Sequence, residues 1–262
     1  MNRLRFVKRI DVHRAECGSA PAEVDARRGE SARQALIDAG VDLFGRLGPD
    51  GATTRDIAAA ARQNVAAIPY YFGSKDGLYR AVVQFLLDRA LQRNLGLIEE
   101  TEALLQDARA TPAALLKALA RVTRGYLAIL TRDDTLALAR IITREQLDPT
   151  AAFDLFYVGA ISRVHRCLAG LLDRYSGLDP QADPVASVLR AHLLFGSMLG
   201  FRVAGTTAMR RAGWSELGAD ELERIVRVAC EHSEIYARGL RAQARRSHAA
   251  AARRAPMAPR RR

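Results

Sequence analysis

The stretch that decides the fold runs from residue 35 to residue 83 and reads ALIDAGVDLFGRLGPDGATTRDIAAAARQNVAAIPYYFGSKDGLYRAVV. Its first apolar residues recur every three to four positions, the spacing of one face of an α-helix. Ser31 followed by Gln34 has the pattern of a capping box just before them, and Gly48 with Pro49 stops the repeat. The sequence therefore predicts a first ordered helix from about residue 30 to residue 47.

Three shorter helices are predicted after it. Thr53 and Asp56 have capping-box spacing and open an alanine-rich segment, while Asn64 and Ser74 have side chains suited to further helix N-caps. Ile57 and Ile68 supply apolar contacts that would hold the two short helices together. A supporting helix followed by two short helices and a tight turn is the layout of a helix-turn-helix, although the spacing alone also fits another small helical bundle.

Helical periodicity continues through the remaining chain, and β-strand patterns are scarce. Pro112, Asp134, Thr150, Asp183 and Asp220 mark further helix starts, and the segments between helices are rich in Gly, Pro, Asp and Ser. We expect an all-α protein of about nine helices. Its divisions are a disordered leader (1–29), a helix-turn-helix domain (30–75), a larger helical domain (76–243) and a disordered tail (244–262).

The composition fits a soluble globular protein. The 262 residues are 49% hydrophobic and 26% charged, and no apolar run reaches the roughly 18 to 20 residues of a membrane helix. The N-terminal residues have no secretory pattern, so we expect a cytoplasmic protein without a membrane partner. Cys17, Cys167 and Cys230 are too widely spaced for a disulfide framework or a zinc site, and we expect reduced thiols.

The net charge of +11 is concentrated at one end. Residues 238–262 contain nine arginines and no acidic residue, whereas basic and acidic residues nearly balance over 31–237. The last residues are low in complexity and offer little to bury, which favours disorder. A tail of this kind is usually a solubilising segment with incidental affinity for polyanions.

The quoted stretch resembles the DNA-binding domain of the TetR/AcrR family of bacterial transcriptional regulators. The resemblance is carried by A-x-x-L-F in the first helix, T-T-x-x-I-A in the second and Y-Y-F-x-S-K-x-x-L before the fourth. The segments NVAAIPYYFGSKDGLY, IITREQLDPTAAF and FGSMLGFR are similar to the CecR-like branch of that family. The resemblance covers roughly residues 30–240, and it implies that 76–243 form the regulatory domain, which binds the effector and dimerises.

This resemblance implies two sets of DNA contacts. Phosphates would be held at the start of the second helix, at the start of the fourth and on the first, by Thr53, Thr54, Arg55, Lys75 and Arg33. Bases would be read by the recognition helix and the residues leading into it, namely Gln63, Asn64, Val65, Ala66, Pro69 and Tyr70. Tyr71 is equally well placed for DNA contact or for the core, whereas Phe72 is expected in the core.

Two residues depart from the family pattern. Arg62 occupies the turn position usually held by glycine, so it adopts the turn conformation at a steric cost or a different turn is used. Pro69 stands where the family often has tyrosine, and it lacks a backbone N–H. If the helix began at Asn64, one bond to the Val65 carbonyl would be lost; alternatively, the first turn is tight or the helix starts later.

The resemblance also implies a homodimer on a palindromic double-stranded DNA operator, most simply a repressor released by a small-molecule effector, with no other cofactor. The dimer helices would be about 184–209 and 220–243, with Leu189, Leu193, Gly196, Leu199 and Gly200 in the first stripe. The second stripe comprises Leu222, Ile225, Val226, Ala229 and Ile235. The Gly196–Gly200 spacing also fits packing within one chain. Candidate effector contacts, each also plausible as a core residue, are Tyr126, Arg144, Phe153, Phe156, His165, His192, Phe195, Met198, Phe201 and Arg202.

Two other function classes are weighed against this one. No hydrolase, metalloprotease or nucleotide-binding motif occurs, and the five histidines are too scattered to suggest a metal site or catalysis, so we expect no enzyme. A constitutive or nucleoid-type DNA binder acting through the arginine tail is the remaining alternative.

Overall fold

The computed structural model describes residues 21–92, 94–131 and 135–254, and these ranges are all-α, with no strand. The predicted fold class is confirmed, with more helices than the nine expected because several predicted segments are broken. The helices are α1 (Pro21–Gly51), α2 (Thr54–Ala60), α3 (Ala67–Phe72), α4 (Lys75–Gln92), α5 (Leu95–Gln106), α6 (Pro112–Thr131), α7 (Leu136–Leu147), α8 (Phe153–Phe156), α9 (Ser162–Ser176), α10 (Pro184–Val203), α11 (Gly205–Ala212) and α12 (Ala219–Arg254).

The first helix begins earlier than its sequence pattern predicted. It starts at Pro21, a residue suited to a first helical turn, so the expected disordered leader is corrected over 21–29; residues 1–20 lie outside the described ranges. Ser31 consequently lies within α1 and does not form its N-cap. The predicted stop is present, because Gly48 has φ of +79° and interrupts the helix before Pro49.

The N-terminal helices pack around one apolar core. Leu36 and Phe44 of α1, Ile57 of α2 and Ile68 of α3 are fully buried together. Burying each of these large side chains contributes about 1.5–3 kcal/mol. We call α1 to α3 with the first turn of α4 the reader. We call the remaining helices, from the second turn of α4 to α12, the regulatory half. The core of the reader continues into it through Ile141 of α7, so the two parts are packed together.

The regulatory half is a helical bundle with a second core built mainly by α6, α9, α10 and α12. The helix from Phe153 to Ser176 includes a π-helical segment, Tyr157–Ile161, between α8 and α9. By length and composition alone this helix and α10 could cross a membrane. Inside the bundle they are joined by polar contacts, since buried Asp173 accepts a hydrogen bond from Ser187 and pairs with Arg190 at 2.9 Å.

The last helices also differ from prediction. Asp183 caps α10 as expected, its Oδ1 accepting from the Ala186 N–H at 2.9 Å, but a break at Ala204 separates α10 from α11. Helix α12 continues beyond residue 243 to Arg254, which corrects the expected disorder over 244–254; residues 255–262 lie outside the described ranges. Its extension is rich in Ala and Arg, both strong helix formers, and Ala244 is buried.

Candidate nucleic-acid interface and ligand cavity

The turn between α2 and α3 is made by an arginine in the left-handed conformation. Arg62 has φ of +54°, and its N–H donates to the Ala59 carbonyl at 3.1 Å while the Gln63 N–H donates to the Ala58 carbonyl at 2.9 Å. This pair of bonds is a Schellman motif, which satisfies carbonyls at the helix end. Of the two alternatives given for Arg62, the structure shows the first. Arg62 itself adopts the left-handed turn conformation, at a steric cost that glycine would avoid.

Helix α3 starts later than Asn64, which removes the predicted problem with proline. The Asn64 Oδ1 accepts from the Ala66 N–H at 2.8 Å and shapes the turn before the helix, which begins at Ala67. Pro69 is therefore in the first helical turn, where a backbone N–H has no partner within the helix. The Val65 carbonyl accepts instead from the Ile68 N–H at 3.2 Å.

The predicted phosphate contacts meet at the N-terminal end of α2. Thr53 caps the helix as predicted, its Oγ1 accepting from the Asp56 N–H at 3.1 Å, and Thr54 and Arg55 form the first turn. The Lys75 Nζ lies 3.5 Å from the carbonyl oxygen of Ala52, immediately before that turn. Helix N–H groups, the positive end of the helix dipole and an ammonium thus converge on one spot, an arrangement that suits an anion.

Arg33 lies on α1, beside the recognition helix. Its guanidinium is 5.5 Å from the centre of the Phe72 ring and 3.6 Å from the carboxylate of Glu30. Phe72 packs against the core as expected, although it is only partly buried. Arg33 is therefore held beside α3, at the edge of the predicted DNA surface, with its side chain partly exposed.

The candidate base-reading residues form an exposed surface on and before α3. Asn64, Val65, Ala66 and Pro69 are exposed and Gln63 is half-buried. Tyr70 is 81% exposed, so its ring and hydroxyl are accessible to a binding partner. Tyr71 is half-buried and packs against the reader core, with its ring 4.8 Å from that of Tyr70.

Two known protein families match parts of this chain. Residues 36–82 match the family described as "Bacterial regulatory proteins, tetR family", and residues 115–240 match "HTH-type transcriptional dual regulator CecR, C-terminal domain". The dual regulator CecR of Shigella flexneri is 38% identical over 213 residues, which are 81% of this chain and 94% of that protein. The chain belongs to the TetR family, in its CecR-like branch. It is a transcriptional regulator and not an enzyme.

Solved structures share the fold at low sequence identity. A TetR regulator from Haloarcula marismortui is 19% identical, with a TM-score of 0.51, over 80% of this chain and 98% of that one. AibR, solved with isovaleryl coenzyme A and operator DNA, is 16% identical with a TM-score of 0.55, over 76% of this chain and 96% of AibR.

The regulatory half of this TetR-family protein contains a partly open apolar cavity of about 100 Å³. Its walls come from α4 to α7, from the segment around Ala160 and Val164, and from α10. Most of the lining is aliphatic, and Asn94, Tyr126 and Gln146 are its polar side chains. Burial raises the pKa of the Tyr126 hydroxyl, which therefore stays protonated at neutral pH.

The ten candidate effector residues are not gathered in this cavity. Tyr126 and Phe195 line it, with ring centres 4.6 Å apart. Phe156 and Met198 are buried in the two cores, while His192 is exposed beside half-buried His165. The remaining side chains lie outside the cavity wall because their helix faces point elsewhere, and these are Arg144, Phe153, Phe201 and Arg202.

Arg144 has a different place from the one predicted. Its Nη1 donates to the carbonyl of Phe44 at 2.8 Å and to that of Gly45 at 3.4 Å, and its Nη2 donates to that of Arg46 at 2.9 Å. These are the last carbonyls of α1 before the break at Gly48. Arg144 is therefore a C-cap supplied by α7 to a helix about 100 residues earlier in the chain.

Glu145, which the sequence patterns did not single out, joins α7 to α4. It is only 2% exposed, and its Oε1 accepts from the hydroxyl of Tyr79 at 2.8 Å. It also accepts from the N–H of Thr150 at 2.9 Å. Burial, followed by the hydrogen bond to Glu145, raises the pKa of Tyr79. The segment IITREQL gives no clear signal for this role, because four consecutive residues in it are polar and nothing local distinguishes the buried one.

Helices α10 and α12 each expose apolar side chains. Leu189 and Leu193 of α10 are exposed, with Gly196 and Gly200 on the same face and open space beside both glycines. Ile235 of α12 is 69% exposed. Other members of the predicted stripes pack inward instead, with Ile225, Val226 and Ala229 buried and Leu199 and Leu222 partly buried in the chain's own core.

The described residues form neither a metal site nor a reactive thiol. No group of three or more His, Cys, Asp or Glu residues with a metal-binding arrangement occurs among the described residues. Cys167 and Cys230 are free thiols, and burial raises the pKa of Cys167 to about 11, so it is protonated and unreactive at neutral pH.

Proposed function

We propose that this protein is a homodimeric, cytoplasmic repressor that binds a palindromic operator through its reader and is released when a small molecule occupies the apolar cavity. It needs no cofactor besides that effector. One observation carries the proposal: α4 and α7 line the cavity and are also the two helices of the regulatory half that hold the reader.

Helix α7 has two functional faces. Leu138, Ile142 and Gln146 line the cavity, whereas Arg144 and Glu145 point to α1 and α4. A rigid helix cannot shift one face without the other. A ligand that displaces α7 therefore changes the contacts that position α1 and, through α1 and α4, the recognition helix.

The size of the cavity supports such a displacement. Ligand sites usually occupy about 300–1,000 Å³, so an ordinary effector would not fit in about 100 Å³ without moving a wall. The movable wall would be α4 or α7. An effector shifts the equilibrium only by its different affinities for the two arrangements, and operator DNA must weaken effector binding by the same factor.

The dimer is supported by the exposed face of α10 and α12. Leu189, Leu193 and Ile235 would be covered by the same face of a second copy, and Gly196 and Gly200 would let the helices approach closely. A two-fold axis is what two half-sites about 34–36 Å apart require. The relative from Shigella flexneri is named a dual regulator, and AibR is described with operator DNA and an acyl coenzyme A.

The switch is tested by calorimetry once a releasing compound has been found by gel-shift screening of small apolar molecules on the operator. Effector affinity is measured with and without saturating operator, and we expect weaker binding when DNA is present. Equal affinities would contradict release by an effector and leave a constitutive DNA binder.

The dimer is tested separately by sedimentation of Leu193→Glu, with Leu147→Glu as the control, since Leu147 is exposed on α7 and outside the proposed interface. We expect monomers only for Leu193→Glu. A dimer that survives this substitution would place the interface elsewhere.

A further inference from the structure

The end of the bundle farthest from the reader has a basic groove that the proposed switch does not use. The groove measures about 330 Å³ and lies between the start of α6, the end of α9 and the last turns of α12. None of its eleven described lining residues is acidic. We call it the distal groove.

Its basic side chains come mainly from α12. Arg241, Arg245 and His248 line the groove at the spacing of one helix face. None of the three is paired with a carboxylate anywhere in the residues described by the structure. Arg241 lies over the ring of Tyr175, 4.9 Å from its centre, and this cation–π contact fixes the direction of its guanidinium.

Two further groups in the groove favour an anion. Arg174 donates from Nη1 to the carbonyls of Leu104 and Leu105 and from Nη2 to that of Asp107, so it adds positive charge that is held in place by the backbone. Ser176 is 4% exposed, and its buried Oγ has no hydrogen-bond partner among the described atoms. A buried hydroxyl without a partner is uncommon in folded proteins. The start of α6 adds the positive end of a helix dipole.

The distal groove is far from the DNA surface. The C-terminal half of α6 is beside the start of α12, where Arg124 pairs with Glu223 at 3.0 Å, and α6 leads into α7, which holds the reader. The groove is at the other end of α6, a helix of 20 residues and hence about 30 Å long. DNA bound by the reader would therefore leave this groove free.

We propose that the distal groove binds a phosphate-bearing anion. Guanidinium groups present paired donors that match phosphate oxygens, and the two arginines without a carboxylate partner, Arg241 and Arg245, favour a ligand with more than one negative charge. The volume suits a small phosphorylated molecule, and the same chemistry would also accept the phosphodiester of a nucleic acid strand.

The experiment is a calorimetric titration of the full chain with inorganic pyrophosphate at low ionic strength. Arg245→Ala is compared with Arg246→Ala, its exposed neighbour on α12 that does not line the groove. We expect saturable binding of one pyrophosphate per chain, about tenfold weaker in Arg245→Ala and unchanged in Arg246→Ala. Because both side chains are exposed, neither substitution disturbs the core.

The proposal is overturned if binding does not saturate, or if both variants lose affinity equally, which would indicate only a diffuse positive surface. A second arm identifies the source of the phosphate through competition by a twelve-nucleotide single strand without operator sequence. Displacement of pyrophosphate from the wild-type chain supports a nucleic acid strand as the occupant. Failure to displace it supports a small phosphorylated molecule.

Discussion

Replacing Arg144 by alanine tests whether the regulatory half holds the reader through α7. The substitution removes two hydrogen bonds of normal length to the carbonyls of Phe44 and Arg46, at 2.8 and 2.9 Å, and a longer one to Gly45 at 3.4 Å. Hydrogen bonds to a charged group contribute about 1.5–3 kcal/mol each, although water replaces part of that at a half-buried site.

We therefore expect Arg144→Ala to lower the free energy of unfolding by about 2–4 kcal/mol. For a chain of this size that corresponds to a fall in Tm of roughly 5–12 °C. Urea denaturation followed by circular dichroism measures the free energy, and thermal unfolding gives Tm. Lysine at the same position keeps the charge but cannot reach all three carbonyls, so an intermediate loss is expected.

Arg140→Ala is the matched control, because Arg140 is an exposed residue one turn earlier on α7. A loss of stability in Arg144→Ala no larger than in Arg140→Ala would refute the assignment of Arg144 as the cap of α1. If the cap transmits the effector signal, Arg144→Ala also reduces the effect of operator on effector affinity while leaving the cavity lining intact.

Three further predictions concern single side chains. Arg62→Gly should remove the strain of the left-handed backbone and raise the free energy of unfolding by about 0.5–1 kcal/mol, after the larger entropy of the unfolded glycine is counted. Arg62→Ala keeps the Cβ and should not raise it. Equal changes of Tm in the two variants would refute the strain. Lys75→Ala should weaken binding to operator and non-operator DNA alike and reduce the salt slope by about one, so a gel-shift loss confined to the operator would contradict a phosphate contact. Burial raises the pKa of Cys167 from 9.0 to about 11, so the native state holds the thiol proton more tightly than the unfolded state does. The contribution of this proton to the free energy of unfolding is complete below pH 9 and is lost between pH 9 and 11. Cys167→Ala should therefore show a shallower fall of Tm over that interval in reducing buffer, and an unchanged slope would argue against the shift.

The helices of the reader could be predicted from the sequence because short-range contacts fix where they begin and end. The Thr53 cap, the Ser74 cap and the Gly48 stop act on residues within four positions, so their effect does not depend on distant packing. The helix ends that were predicted wrongly are those where the sequence has no strong local stop. Helix α1 extends back to Pro21 and α12 on to Arg254, because good helix formers continue a helix once neighbouring turns are anchored.

The sequence by itself determined the all-α class, the capped helix-turn-helix and, through its motifs, the family. Only the tertiary structure decided the role of Arg144, because its partners lie about 100 residues away and an arginine on an apolar helix fits a ligand site equally well. The lining of the cavity was likewise decided only by the tertiary structure. Helical periodicity indicates that Tyr126 and Phe156 face inward, but it does not indicate what lies opposite them. Tyr126 lines the cavity, whereas Phe156 is packed among other side chains. Which of the two occurs depends on the angles at which the neighbouring helices cross.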